Sequence, residues 1–250
     1  MKMTLIVTAS AFALLAAAPA QASNTAGIDQ SGHALIALLN QGDQFEPGFN
    51  FATIEQRGDS NKAYIDQATG IPPGFHNPPG FRNQATIVQH GQGNSINDAA
   101  LLPAVHAADK LGQNNTVAGG KVNQVNLHQD GTSNALMFQQ IGEDHSLNFS
   151  QDGGGNVARS FQTGGSDGGI GSQHATNSFF TAEQSGKFDR YTADQQGDDN
   201  RLTINQYGDS EFAQLTQSGR NNTLFVAQTS PEAFATVTQA GSDNFTQIVH

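Results

Sequence analysis

From residue 129 onward, apolar and polar positions alternate in short runs that restart every eleven residues. The apolar pairs are Leu136 and Phe138, Leu147 and Phe149, Leu202 and Ile204, Ala213 and Leu215, Leu224 and Val226, and Ala235 and Val237, with Thr246 and Ile248 last. Polar residues sit between and beside them, as Thr203 and Asn205, Gln214 and Thr216, and Thr236 and Thr238 do. Strict period-two alternation predicts a β-strand with one buried face. Each run closes on Gln, and Gly follows two residues later in most copies, as at Gly131, Gly153, Gly197, Gly219 and Gly241. That Gly and the polar pair after it predict a tight turn, where a positive φ is often needed.

The closing glutamines keep an interval of eleven residues without insertion: Gln129, Gln140, Gln151, Gln162, Gln173, Gln184, Gln195, Gln206, Gln217, Gln228 and Gln239. Regularity of this kind means stacked copies of one supersecondary unit. The unit reads Gln-x-Gly-x-x-Asn-x-Φ-x-Φ-x-Gln, where Φ is apolar. Its Asn is present as Asn134, Asn156, Asn200, Asn222 and Asn244, and is replaced by His145, Asp167, Ser178, Asp189, Glu211 and Ala233. Two such halves, strand–turn–strand–turn, close one coil of 22 residues, so the expected fold is an all-β, two-sheet β-solenoid. A buried primary amide without partners costs about 1–3 kcal/mol on mutational scales. Strands about 4.8 Å apart allow equivalent amides in successive coils to bond along the stack. The candidate ladder and self-assembly residues are therefore Gln56, Asn61, Gln67, Gln89, Asn94, Gln129, Asn134, Gln140, Gln151, Asn156, Gln162, Gln195, Asn200, Gln206, Gln217, Asn222, Gln228, Gln239 and Asn244.

These positions resemble the curlin repeat of curli fibre subunits, whose pattern runs Ser-x5-Gln-x-Gly-x-Gly-Asn-x-Ala-x3-Gln. Gln56, Gly58, Asn61, Ala63 and Gln67 match it, as do Gln89, Gly91, Gly93 and Asn94, and Gln151, Gly153, Gly155, Asn156, Ala158 and Gln162. The resemblance implies a structural subunit of an extracellular amyloid fibre that serves biofilm matrix and adhesion. It also implies self-association as a homopolymer, a related curlin subunit as nucleator or co-polymer, and the curli export machinery as partners. Residues 23–40 depart from the Gly/Asn-rich export segment that the resemblance leads one to expect after a leader.

Composition narrows the field further. Gln and Asn together are 26 and 21 of 250 residues, and Cys and Trp are absent, so neither disulfides nor a large globular core supports the chain. A formal charge of −11 argues against nucleic acid or an anionic membrane as partner. Lys2, the apolar Leu5 to Ala18 and the Ala20-Gln21-Ala22 site read as a cleaved secretory signal over residues 1–22, which implies a secreted or cell-surface location and no membrane insertion. Residues 23–128 read as degenerate repeats with loop insertions and residues 129–250 as the regular solenoid. The insertions lie at 44–51, at the twice-repeated PPGF stretch of 68–83, and at 99–109 as a loop or short helix; Gly112, Asn115 and Gln124 read as a degenerate copy between them. Gly169 and Gly171 fall on the two inward apolar positions of one copy and predict a rung with no core, either flexible or a weak point for assembly.

No catalytic, cofactor or metal constellation is expected. The eight His are scattered, and the acids Asp144, Asp198, Asp199, Asp209, Glu211 and Asp243 fall at or beside turns, where solvated carboxylates are common. On this reading neighbouring coils bring like charges together at the corners and delay assembly. Two other functions fit the pattern less well. A soluble secreted solenoid that binds a polysaccharide or other surface calls for a regular outward array, and the outward Thr residues are irregular; a solenoid hydrolase needs clustered outward carboxylates.

Overall fold

The structure is a computed structural model that describes residues 2–8, 11–17, 25–43, 49–69, 82–96, 112–115 and 122–250. Every regular element among them is a β-strand, and every pairing is parallel. One sheet runs in the order β1 (Lys2–Thr8), β3 (Thr25–His33), β5 (Phe49–Asp59), β7 (Arg82–Gln92), β10 (Val122–Thr132), β12 (Ser146–Gly154), β14 (Gly168–Thr176), β16 (Arg190–Asp198), β18 (Phe212–Arg220) and β20 (Phe234–Ser242). The second runs β2 (Ala11–Ala17), β4 (Leu35–Asp43), β6 (Lys62–Thr69), β8 (Ser95–Ile96), β11 (Ala135–Glu143), β13 (Val157–Gly165), β15 (Phe179–Lys187), β17 (Arg201–Gln206), β19 (Thr223–Gln228) and β21 (Phe245–Val249). The chain passes from one sheet to the other at each turn, which makes the two-sheet β-solenoid that the periodicity predicts. Register is fixed residue for residue: Gln129 pairs Gln151 and Gln195 pairs Gln217.

The corners follow from glycine and a left-handed residue two positions on. Gly219 has φ 110°, and a Cβ there would lie 1.9 Å from the carbonyl oxygen of Gly241 in the next coil. At this φ no side chain fits between arcs stacked at strand spacing. The left-handed residue is Asp or Asn in some corners, as at Asp199 (φ 54°), Asn221 (55°) and Asp243 (58°), types that tolerate this conformation. It is Ser in others, as at Ser133 (56°) and Ser210 (65°), with Phe188 (65°) in one.

The stack continues through the irregular half. β7 pairs β10, and coils carrying long insertions keep the same register. One rung is split, since β8 and β9 (Gly112–Asn115) lie end to end between β6 and β11. This corrects the sequence reading of that copy. Gln113 stands in register with Gln67 and Gln140, whereas Gln124 pairs Gln84 and Ser146 on an outward position. Residues 44–48, 70–81, 97–111 and 116–121, which hold most of the expected insertions, lie outside the described residues; Phe49 to Phe51 belong to β5. The segment read as a leader is placed as β1 and β2 at the outer edge, pairing β3 and β4.

The core is a thin apolar seam between the sheets, with Leu136, Phe138, Leu147, Phe149, Leu202, Ile204, Leu215, Leu224 and Val226 buried. The glycine rung is not hollow, contrary to expectation. A Cβ on Gly169 would lie 2.4 Å from the Tyr191 ring, and one on Gly171 would lie 2.3 Å from the Phe149 ring. Rings from the coils on either side fill the space, with Phe180 between them at 4.9 Å from Phe149 and 5.7 Å from Tyr191. Tyr191 keeps its buried hydroxyl satisfied by Ser160 Oγ at 3.1 Å.

Candidate functional site

Every sequence-selected glutamine is buried, and they form two columns, one per sheet. In the first sheet Gln30, Gln56, Gln89, Gln129, Gln151, Gln173, Gln195, Gln217 and Gln239 make an unbroken chain in which each Nε2 donates to the next Oε1 at 2.6–2.9 Å. Its early links span 26, 33 and 40 residues of sequence before the interval settles at 22. The second sheet repeats the arrangement in Gln140, Gln162, Gln184, Gln206 and Gln228 at 2.8–3.0 Å. Gln67 belongs to the same sheet and donates to the Phe51 carbonyl at 3.2 Å.

Most of the glutamines in the two chains have a second donation, to a backbone carbonyl, that the spacing did not reveal. Gln195 Nε2 also donates to the Phe179 carbonyl at 3.2 Å, and Gln217 Nε2 to that of Arg201 at 3.1 Å. Both N–H bonds of the amide are thus used, one along the stack and one across the core to the opposite sheet. Such full pairing is what makes a buried amide tolerable.

The asparagines do different work from the amide-to-amide ladder expected of them. Asn61, Asn94, Asn134, Asn156, Asn200, Asn222 and Asn244 share one corner with Ser178. Their Oδ1 accepts the backbone N–H of the next coil, as Asn200 Oδ1 does from Asn222 at 3.0 Å. Their Nδ2 donates to two carbonyls, in Asn200 those of Gln196 at 2.8 Å and Gly219 at 2.9 Å. They cap the arcs. Only at Asn244 does the amide reach its neighbour, donating to Asn222 Oδ1 at 3.0 Å.

The opposite corner holds the column Asn123, His145, Asp167, Asp189, Glu211, all essentially buried. Glu211 is therefore not among the exposed turn acids with which the sequence grouped it. Of the exposed acids grouped there, Asp198 pairs Arg220 at 3.4 Å, and Asp243 accepts from Asn221 at 2.6 Å. At those two positions the premise of like charges meeting does not hold, because a 22-residue step sets Asp198 against Arg220 and Asp243 against Asn221. It does hold for Glu211, which stacks on Asp189, and for Asp130, which stacks on Asp152. Among the described residues no group of three or more His, Cys, Asp or Glu could hold a metal ion, and no helix is long and apolar enough to cross a membrane.

Parallel in-register strands, two buried glutamine columns and glycine-lined arcs define a β-solenoid built from interchangeable rungs. Residues 50–71 and 197–229 match the family model of the curlin associated repeat, so the chain carries curlin repeats. Curlin-repeat proteins are secreted extracellular fibre subunits rather than enzymes, and fold and repeat together support a curli-type structural subunit. No curated protein sequence matches the chain.

Proposed function

We propose that this chain is a structural subunit of an extracellular curli-like amyloid fibre, adding copies by edge-to-edge stacking of coils and contributing to biofilm matrix and adhesion. The observation that carries this reading is the sameness of successive rungs. Gln217 meets Gln239 as Gln151 meets Gln173, so the face one coil offers the next is a face that a coil of another copy can use. A strand edge with its backbone groups free is a template for further strands. Near β20 and β21 that template carries Gln239, the capping Asn244, and the exposed rings of Phe234 and Phe245.

Secretion on this reading uses residues 1–22 as a cleaved signal, followed by passage through curli-type export machinery, with a related curlin subunit as nucleator or co-polymer. A thioflavin-T time course on the purified chain, with electron microscopy, tests the assembly step. Sigmoidal growth, shortened by preformed seeds, and unbranched fibres are expected. A chain that stays monomeric, and that seeds leave unchanged, points instead to the soluble binding module.

A further inference from the structure

The two corners of the coil perform one task with different chemistry. At the asparagine corner the side-chain oxygen accepts the next coil's N–H, and the side-chain nitrogen donates to carbonyls of the arcs. At the opposite corner Asp167 and Asp189 reproduce the first half: Asp167 Oδ1 accepts from Asp189 N at 3.2 Å, and Asp189 Oδ1 from Glu211 N at 3.0 Å. The second half is missing. Asp167 Oδ2 and Asp189 Oδ2 occupy the place of the amide nitrogen, are buried and have no hydrogen-bond partner. The Asp189 atom lies against Gly186, where a Cβ would come within 2.9 Å of it. An ionised carboxylate only accepts; a protonated one has an O–H to donate.

We propose that the Asp167–Asp189–Glu211 column is a proton-gated corner: the coils it joins stack when these carboxyls hold protons and are pushed apart when the carboxyls ionise. His145 completes it at one end. Its Nε2 donates to the Ile141 carbonyl at 3.0 Å, which leaves Nδ1 as the acceptor in the neutral ring, 3.4 Å from Asp167 Oδ2. One proton between that nitrogen and that oxygen satisfies both. At the other end Ala233 closes the column with no charge.

The charged surroundings favour the protonated state. Asp209 adds negative potential at Asp167, Asp189 and Glu211, while Glu143 and Asp144 do so at His145. Among the described residues no Lys or Arg is buried with the column; Lys187 and Arg190, beside it in sequence, are exposed. Burial, the leading cause, raises Asp167 from 3.8 to about 8, Glu211 from 4.5 to about 7 and Asp189 from 3.8 to about 6, while it lowers His145. The three carboxyls have folded values above their unfolded ones, so they hold more protons in the folded state. Their contribution to stability is fully present below the ordinary carboxylate range and is lost as pH rises out of that range through about 6 to about 8. His145, lowered from 6.5, acts in the opposite sense, its contribution being lost as pH falls below that value. The carboxyl slope is opposite to that of paired surface carboxylates. It concerns the fold of the coil and stands whether or not copies assemble.

The test is the urea midpoint of β-sheet circular dichroism of the full chain between pH 4.5 and 9. We expect the midpoint to fall as pH rises, by an amount equivalent to at least about tenfold in the folding equilibrium, one pKa unit being tenfold. The variant Asp167→Asn, Asp189→Asn, Glu211→Gln should lose the fall toward alkaline pH and exceed the parent at the alkaline end. The exposed pair Asp198→Asn, Asp199→Asn should keep the parental slope. If the triple variant yields no β-sheet at any pH, Asp189→Asn alone decides, and it should lose part of the slope. A flat parental profile, a slope that survives the column substitutions, or one that vanishes with the exposed pair overturns the proposal.

Discussion

Tyr191 occupies the space that a side chain on Gly169 would need, its ring lying 2.4 Å from where a Cβ would sit, and the two residues are direct cross-strand partners. The pair is a knob and its hole. Tyr191→Ala should cost about 3–5 kcal/mol, in the range of buried aromatic truncations. Gly169→Ala should cost about 1–3 kcal/mol by overpacking, and the double variant less than the sum, because the smaller residue at 191 makes room. Urea midpoints of the four proteins check this; strict additivity would show that the ring does not fill that site.

The Gln217 amide receives from Gln195 at 2.9 Å, donates to Gln239 at 2.9 Å, and crosses the core to Arg201. Gln217→Ala should leave both neighbouring amides short of a partner and cost about 1–3 kcal/mol. Assembly half-times should lengthen with it. Gln247→Ala, on an exposed position of β21, serves as the comparison and should change neither stability nor half-time measurably.

At Gly219 a side chain would meet both an unfavourable φ and the Gly241 carbonyl. Gly219→Ala should cost at least about 1–3 kcal/mol from backbone strain alone, before any displacement of the next coil. Gly165 lacks the positive φ, and its nearest neighbour to a new Cβ is the flexible Glu143 side chain at 3.6 Å. Gly165→Ala should therefore be close to neutral. Thermal or urea unfolding of the two variants side by side decides it.

The coil and the glutamine columns were legible because identical side chains recur at one interval, and stacking turns that interval into contact. Three features were hidden for identifiable reasons. Gln113 sits in a rung split by a long insertion, so counting residues from Gln89 misses it. Gly169 and Gly171 look empty within their own repeat, since the rings that fill them belong to Tyr191 and Phe149 in adjoining coils. Glu211 read as a turn acid, and Asp167 and Asp189 as plain replacements of the repeat Asn, yet the fifth position after Gln is buried in every described copy but the last two, Ala233 and Asn244. The asparagines at that position were the available clue: a residue type retained for capping implies an enclosed site, and acids placed there inherit the enclosure.

The central claim is that copies join as coils join within one copy, and fibre diffraction from aligned assemblies of the full chain tests it most directly. Stacking of parallel rungs predicts a meridional reflection at about 4.7–4.8 Å and an equatorial one near 10 Å from the facing sheets. Assemblies without the meridional spacing, or with strands running along the fibre axis, would contradict it.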